Sequence, residues 1–224
     1  MTTVNHVPVG GRTVRVTRIT TYGQVVTGAC AYATSNGWTQ VQLTDNLATK
    51  TTWDIRTGGP VACLPARTQP QLNNCDTVID FVRVEPDIYH LITGETLIYD
   101  GSAASVGYAG DTDTYADGSF ALELWTGIAG QCPATGLPQY GYLLLPWLIN
   151  AVRGPVTHSA ATSTFRVSAS TTAGHLWGAG PYNVVASSLG TPVPLLTPVP
   201  SKRHRHWQLT TVPPPAAAAG CQTL

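Results

Sequence analysis

The chain has 224 residues, of which 43% are apolar and only 11% charged, and its acidic and basic side chains cancel to a net charge of zero. No apolar run approaches the ~18 residues of a membrane-crossing helix, and the longest, Tyr142 to Ile149, is interrupted by Pro146. A charged fraction this far below the usual ~25% leaves little of the surface suited to a free monomer, and points to an obligate assembly.

Charge is sorted along the chain. Ten of the twelve acidic residues fall between Asp76 and Glu123, against one base, Arg83. The flanking regions are net basic. Such sorting bears on which surfaces attract or repel, not on fold. Met1 to His6 lacks a basic stretch leading into an apolar one, so no signal peptide is expected. The five cysteines, Cys30, Cys63, Cys75, Cys132 and Cys221, are odd in number and widely spaced. They read as reduced thiols, with a Cys63–Cys75 pair left open as an alternative.

In chain order, period-two alternation predicts strands with one buried face. Arg15 and Thr17 alternate with Val14 and Val16, and Thr39, Val41 and Leu43 with Gln40 and Gln42. Pro86 at a first helical turn, the stripe Ile88, Leu91 and Ile92, and Gly94 as a terminal cap predict one short helix over residues 86–93. Phe120, Leu122 and Leu124 then alternate with Ala121 and Glu123, and Phe165, Val167 and Ala169 with Thr164, Arg166 and Ser168. Gly10-Gly11, Asn36-Gly37, Gly58-Gly59-Pro60, Asp100-Gly101 and Asp117-Gly118 mark turns. After Ser187 four prolines keep the chain extended, followed by the basic run Lys202 to His206 and a strand-like stretch to Val212. The expected organisation is a β-rich body over residues 1–187 and a Pro-rich extended arm over 188–224, ending in a strand at about 204–212.

Candidate chemistry fails on spacing. Asp111, Asp113 and Asp117 lack the turn glycine and closing Glu of a calcium loop, since Ala116 and Leu122 stand there. His204 and His206 share a strand face but have no partner at zinc-site spacing. His158 and Ser159, adjacent on a strand, point to opposite faces. Glu123 and Asp117 resemble a glycosidase carboxylate pair without a sugar cleft around them. Gly178-Ala179-Gly180-Pro181 reads as a tight turn, not a dinucleotide loop. Lys202 to His206 offers three permanent charges, few for phosphate-driven binding, and reads as a protein-facing strand. No enzyme activity, cofactor or metal is expected.

Several stretches are nevertheless distinctive in combination: LITGETLIYD (91–100), ALELW (121–125), YGYLLLP (140–146), WGAGPYNVV (177–185), TPVPLLTP (191–198) and HRHWQLTTVPPP (204–215). In this order they resemble the major tail, or tail tube, proteins of long-tailed bacteriophages (siphophages) that infect actinobacteria, over roughly residues 14–221. Lys202-Arg203 departs from that pattern, where an acidic pair is usual. So does Gln222-Thr223-Leu224 after Gly220-Cys221. The resemblance implies a mainly β, tail-tube-type β-sandwich or barrel. It implies a homohexameric ring, stacked into a tube that is assembled in the host cytoplasm and forms part of the virion tail. It further implies tape-measure and other tail proteins as partners, DNA that passes without specific binding, and no membrane. On that reading Asp100, Asp111, Asp113, Asp117 and Glu123 are candidates for the lumen or for subunit contacts. Arg203, Arg205, Trp207 and Leu209 are candidates for an arm that reaches a neighbouring subunit. A virion-surface binding module, either a capsid decoration or a carbohydrate-binding tail component, is the alternative that the Trp, Tyr and Thr content also fits.

Overall fold

The computed structural model describes residues 7–50, 69–82, 85–102, 104–111, 118–129, 138–158 and 163–224. Its elements in chain order are β1 (Val7–Arg18), β2 (Tyr32–Ser35), β3 (Trp38–Lys50), β4 (Gln69–Phe81), α1 (Pro86–Thr93), β5 (Thr96–Tyr99), β6 (Ser105–Ala109), β7 (Phe120–Ala129), β8 (Tyr140–His158), β9 (Ser163–Thr171), β10 (Val185–Ala186), β11 (Pro192–Val193), β12 (His206–Thr210) and β13 (Ala218–Gln222). The chain is mainly β with one short helix, as its alternation and turn residues predict.

Nine strands form one antiparallel sheet in the order β13-β2-β1-β7-β8-β9-β4-β3, with β12 also pairing β8. The 19-residue β8 is the seam. Its first half pairs with β7 and β12, and its second half with β9. Between them the register slips, and Asn150 takes a left-handed φ of 54°, which bends the strand. Pro146 sits where β8 carries one extra residue against β7, between the Leu145 and Leu148 pairings. A proline has no N–H for the ladder, so a bulge accommodates it. The bend lets both halves of the sheet contribute to one core. Val14, Val16, Phe120 and Leu122 come from the first half, and Ile79, Phe81, Phe165 and Val167 from the second. Among the described residues the sheet does not close into a barrel, so the architecture is a β-sandwich.

Helix α1 starts at Pro86, carries Asp87 in its first turn and ends at Gly94, whose φ of 76° allows its N–H to reach the His90 carbonyl. Eight residues form no stable helix alone. Here Ile88, Tyr89, Leu91 and Ile92 are all buried in the sandwich core, and Tyr89 stacks on Tyr108 of β6. The small β5–β6 hairpin turns at Asp100, whose carboxylate accepts hydrogen bonds from the backbone N–H groups of Ser102 and Ala104.

Several expectations change. Strands β1 and β7 are buried on both faces, not one: Arg15, Thr17, Ala121 and Glu123 are as enclosed as Val14 and Leu122. The reason is residues 172–204, which lie over the outer face and build a second core from Trp177, Val184, Val185, Leu195 and Val199 against Trp125, Tyr142 and Leu144. Gly10-Gly11 is no turn but an irregularity inside β1, where a Cβ on Gly11 would lie 2.0 Å from the Trp38 ring. Asn36-Gly37 connects β2 to β3 without pairing them, because the two strands lie far apart in the sheet. Gly58-Gly59-Pro60 falls outside the described residues.

The expected boundary after residue 187 cuts between β10 and β11, which pair with each other. Residues 188–224 do not stand away as an extended arm. They supply Leu195 and Val199 to the second core, β12 to the β8 edge and β13 to the β2 edge. The terminal strand expected at 204–212 forms at His206–Thr210. The reading of all thiols as reduced is also corrected, since Cys30 and Cys221 are disulfide-bonded. Their separation of 191 residues hides the pair from any local spacing rule, and only the β2–β13 pairing brings them together. Cys75 is a free thiol, so it forms no pair with Cys63, which lies outside the described residues.

Candidate functional site

The most concentrated chemistry in the described chain lies where β1 meets β7. Arg15 and Glu123 are directly opposed in the ladder. The guanidinium donates to both carboxylate oxygens, Nε to Oε2 and Nη2 to Oε1, each at 2.6 Å. The Tyr142 hydroxyl donates to Glu123 Oε1 at 2.7 Å. The guanidinium carbon lies 3.3 Å from the Tyr182 ring centroid and 5.1 Å from that of Trp125. Tyr182 in turn shares a hydrogen bond of 3.0 Å with Thr17.

This geometry makes the cluster a clamp and not a catalytic acid–base pair. Burial works against the Arg15 charge, but the charge and hydrogen bonds of Glu123 outweigh it and hold Arg15 above its ordinary value. Burial, reinforced by the Glu123 charge, pushes the Tyr142 hydroxyl well up, so it stays neutral and donates. The Glu123 side chain has no exposure and both its oxygens are engaged, leaving no route to a substrate. Its placement corrects the expectation that it faces a lumen or a neighbouring subunit. Tyr182 belongs to the strap over the sheet, so the clamp fastens that strap to β1 and β7.

The other acidic residues scatter by environment. Glu95 is buried, with Arg153 Nη1 at 3.2 Å. Asp87 is buried and accepts a hydrogen bond from Ser105. Asp76 and Asp80 lie on β4 opposite Ser170 and Arg166 of β9. Ser170 donates to Asp76 at 2.6 Å, and Arg166 holds Asp80 through two bonds of 2.7 and 2.9 Å. Asp100 and Asp111 are exposed at either end of the β5–β6 hairpin. Hydrogen bonds from the Ser102 side chain, then from the Ala104 and Ser102 backbone, hold Asp100 below its ordinary value. Thr96 donates to Asp111 at 2.9 Å. Asp113 and Asp117 lie outside the described residues. The acidic block is therefore several sites and not one.

Of the arm candidates, Arg205 reaches its own chain. Its two terminal nitrogens donate to Asp45 on β3 at 2.6 and 2.9 Å. Arg203 is exposed, and its carbonyl pairs with the His175 ring. Trp207, opposite Leu143, keeps 49% of its surface exposed, and Leu209 is half-buried. Cys75 donates to Asp45 at 3.2 Å, and burial first, then Asp45, pushes its thiol up, away from nucleophilic use.

Among the described residues the sheet ends in strands that pair on one side only. β3 is one end and β13 the other. Cross-chain reasoning from sequence missed this, as it missed Tyr142 and Tyr182 as partners of the clamp. The clamp did leave a partial signal, because Glu123 is the single charge of the otherwise apolar β7, whereas Arg15 is one of three arginines in β1 and does not stand out. Among the described residues no group of His, Cys, Asp and Glu is placed to hold a metal ion. No protein-family model matches the chain, and no curated protein does.

Proposed function

We propose that this chain is a structural subunit of a phage tail tube, self-assembling head-to-tail into rings that stack into a conduit for DNA. The observation that supports this best is the β3 edge. It runs for thirteen residues with no proline, and its only lysine is the last residue, Lys50. Monomeric proteins blunt an edge of that length with Lys, Pro, bulges or a covering segment, and of these β3 shows, among the described residues, two register irregularities, near Trp38 and Asn46. Its one acidic residue, Asp45, is neutralised by Arg205 of the same chain. An edge at each end of a single sheet suits a heterologous contact, in which one patch meets a different patch on the next copy and a closing rotation gives a ring. The ordered motifs that resemble those of tail tube proteins and the charge-poor composition agree with it. On this reading the exposed Asp100 and Asp111 at the ends of the β5–β6 hairpin are, among the described residues, candidates for a channel wall whose acidic character repels passing DNA.

Negative-stain microscopy of the purified protein is expected to show rings or tubes. The double substitution Gln40→Lys and Gln42→Lys, both at exposed β3 positions, is expected to abolish them while circular dichroism stays that of the parent. A monodisperse monomer at high concentration in several salts sinks the proposal. Antibody labelling of virions on the head or tail tip, instead of along the shaft, replaces it with a surface binding module.

A further inference from the structure

The C-terminal strand is held to the sheet in an unusual way. Within the sheet β13 pairs with β2 alone among the described residues, through Ala218 opposite Thr34 and Gln222 opposite Tyr32, with an irregular register between them, and it also lies against α1. Backbone bonds around this pairing tie the chain end to the segment before β2. Gln222 and Leu224 carbonyls accept from the Ala31 and Gly28 N–H groups at 2.9 and 3.1 Å, and the Leu224 N–H donates to Gly28 at 3.3 Å. The strand reads Ala-Ala-Gly-Cys-Gln, so no branched or aromatic side chain anchors it. What fastens it covalently is the Cys30–Cys221 bond, beside the Thr34 hydroxyl, which accepts from the Ala218 N–H and donates to the Ala216 carbonyl, each at 3.1 Å. Both cysteines line an open cleft of about 680 Å³, whose walls also include Glu85, Asp87 and Tyr99, so a small thiol can reach them. Pro213-Pro214-Pro215 precedes the strand. Three successive prolines donate nothing to a ladder and stay extended, so they form a stiff lever on which β13 can leave as a unit.

We propose that the Cys30–Cys221 bond is a redox clasp that decides whose C-terminal strand occupies the β2 edge. Closed, it keeps β13 on its own chain. Open, it frees β13, and the edge takes the C-terminal strand of a second copy. The occupant is another copy because that strand satisfies the same Gly28 and Ala31 groups with the same small side chains, which is the condition for strand exchange. Opening is thiol–disulfide exchange with a dithiol. One reductant thiolate attacks a cysteine sulfur and expels the other as thiolate. The second reductant thiol closes its own disulfide and releases the remaining cysteine. The protein gains two electrons and two protons, and the dithiol loses them. The inference goes beyond the tube reading, since strand exchange would join copies in any assembly.

The test mixes full-length Cys30→Ser and Cys221→Ser proteins and oxidises them with oxidised glutathione. Neither variant can close the clasp alone, but exchange between them places Cys221 of one beside Cys30 of the other. A disulfide-linked heterodimer whose peptide masses carry the Cys30–Cys221 link is expected. Monomers only, or dimers linked through Cys63, Cys75 or Cys132, overturn the proposal. Should either variant misfold, hydrogen exchange of the unmodified protein decides. Dithiothreitol is expected to lower protection at Gly28, Ala31 and Leu224 by at least about tenfold in dilute protein. That protection is expected to return at high protein concentration. Unchanged protection, or a loss that concentration does not reverse, overturns it.

Discussion

Replacing Arg15 with Met removes the cation but keeps most of the unbranched stem packed between Trp125 and Tyr182. Glu123, with no exposed side-chain surface, is then left with Tyr142 as its hydrogen-bond donor in this clamp. Removing one partner of a buried pair costs about 3–5 kcal/mol, because the remaining charge has lost its compensation. For a chain of this size each kcal/mol corresponds to roughly 2–4 °C in Tm, so Arg15→Met is expected to melt roughly 6–20 °C lower. Thermal and urea denaturation of the purified protein read this directly. Glu123→Leu alone, which strands the guanidinium, is expected to cost a similar amount. The double variant Arg15→Met/Glu123→Leu is expected to recover to within about 1–2 kcal/mol of the parent, since an apolar pair of similar volume needs no compensation. A single Arg15→Met variant within about 1 kcal/mol of the parent would refute the clamp's role. So would a double variant whose cost is the sum of the two singles.

The remaining expectations concern acid, packing and the C-terminal segment. Burial, the larger cause, lowers His175 despite its bond to the Arg203 carbonyl, and burial also lowers His204. Both take up protons in the unfolded chain before the folded one, so their contribution is complete above about pH 6.5 and is lost as pH falls through their lowered folded values. Tm is therefore expected to drop from pH 7 to pH 5, with a shallower slope in His175→Gln; an unchanged slope argues against the assignment. The carboxylates Asp45, Asp76 and Asp100, held below 3.8 by hydrogen bonds, add a second loss only below that pH. Gly118→Ala would place a Cβ 2.6 Å from the Ile92 carbonyl at the end of α1, and is expected to destabilise by about 1–3 kcal/mol in urea titration. Deleting residues 188–224 removes Leu195 and Val199, about 3–6 kcal/mol of burial from those two side chains, and uncovers Trp125 and Tyr142. The fragment 1–187 is expected to lose its near-ultraviolet circular dichroism, and a cooperatively folded fragment would contradict the woven C-terminal segment.

Local rules read this chain well wherever one segment carries its own signal. Proline at the first turn, an i, i+3, i+4 apolar stripe and a glycine cap fix α1 at residues 86–93 without reference to anything distant. Phe165, Val167 and Ala169 against Thr164, Arg166 and Ser168 likewise give β9 its buried and exposed faces. Alternation failed where a second layer arrived from far along the chain. Arg15, Thr17 and Glu123 look like solvent-facing residues until residues 172–204 are laid over them, and a strand cannot encode what will cover its polar face. The same holds for Cys30 and Cys221, whose meeting depends on the β13–β2 pairing. The amino-acid sequence alone determined that this is a charge-poor β protein with one capped helix. Which charges are buried in pairs, which edges of the sheet stay open, and that the C-terminal segment belongs to the body were decided only by tertiary structure. These depend on contacts more than a hundred residues apart, such as Arg15 with Glu123.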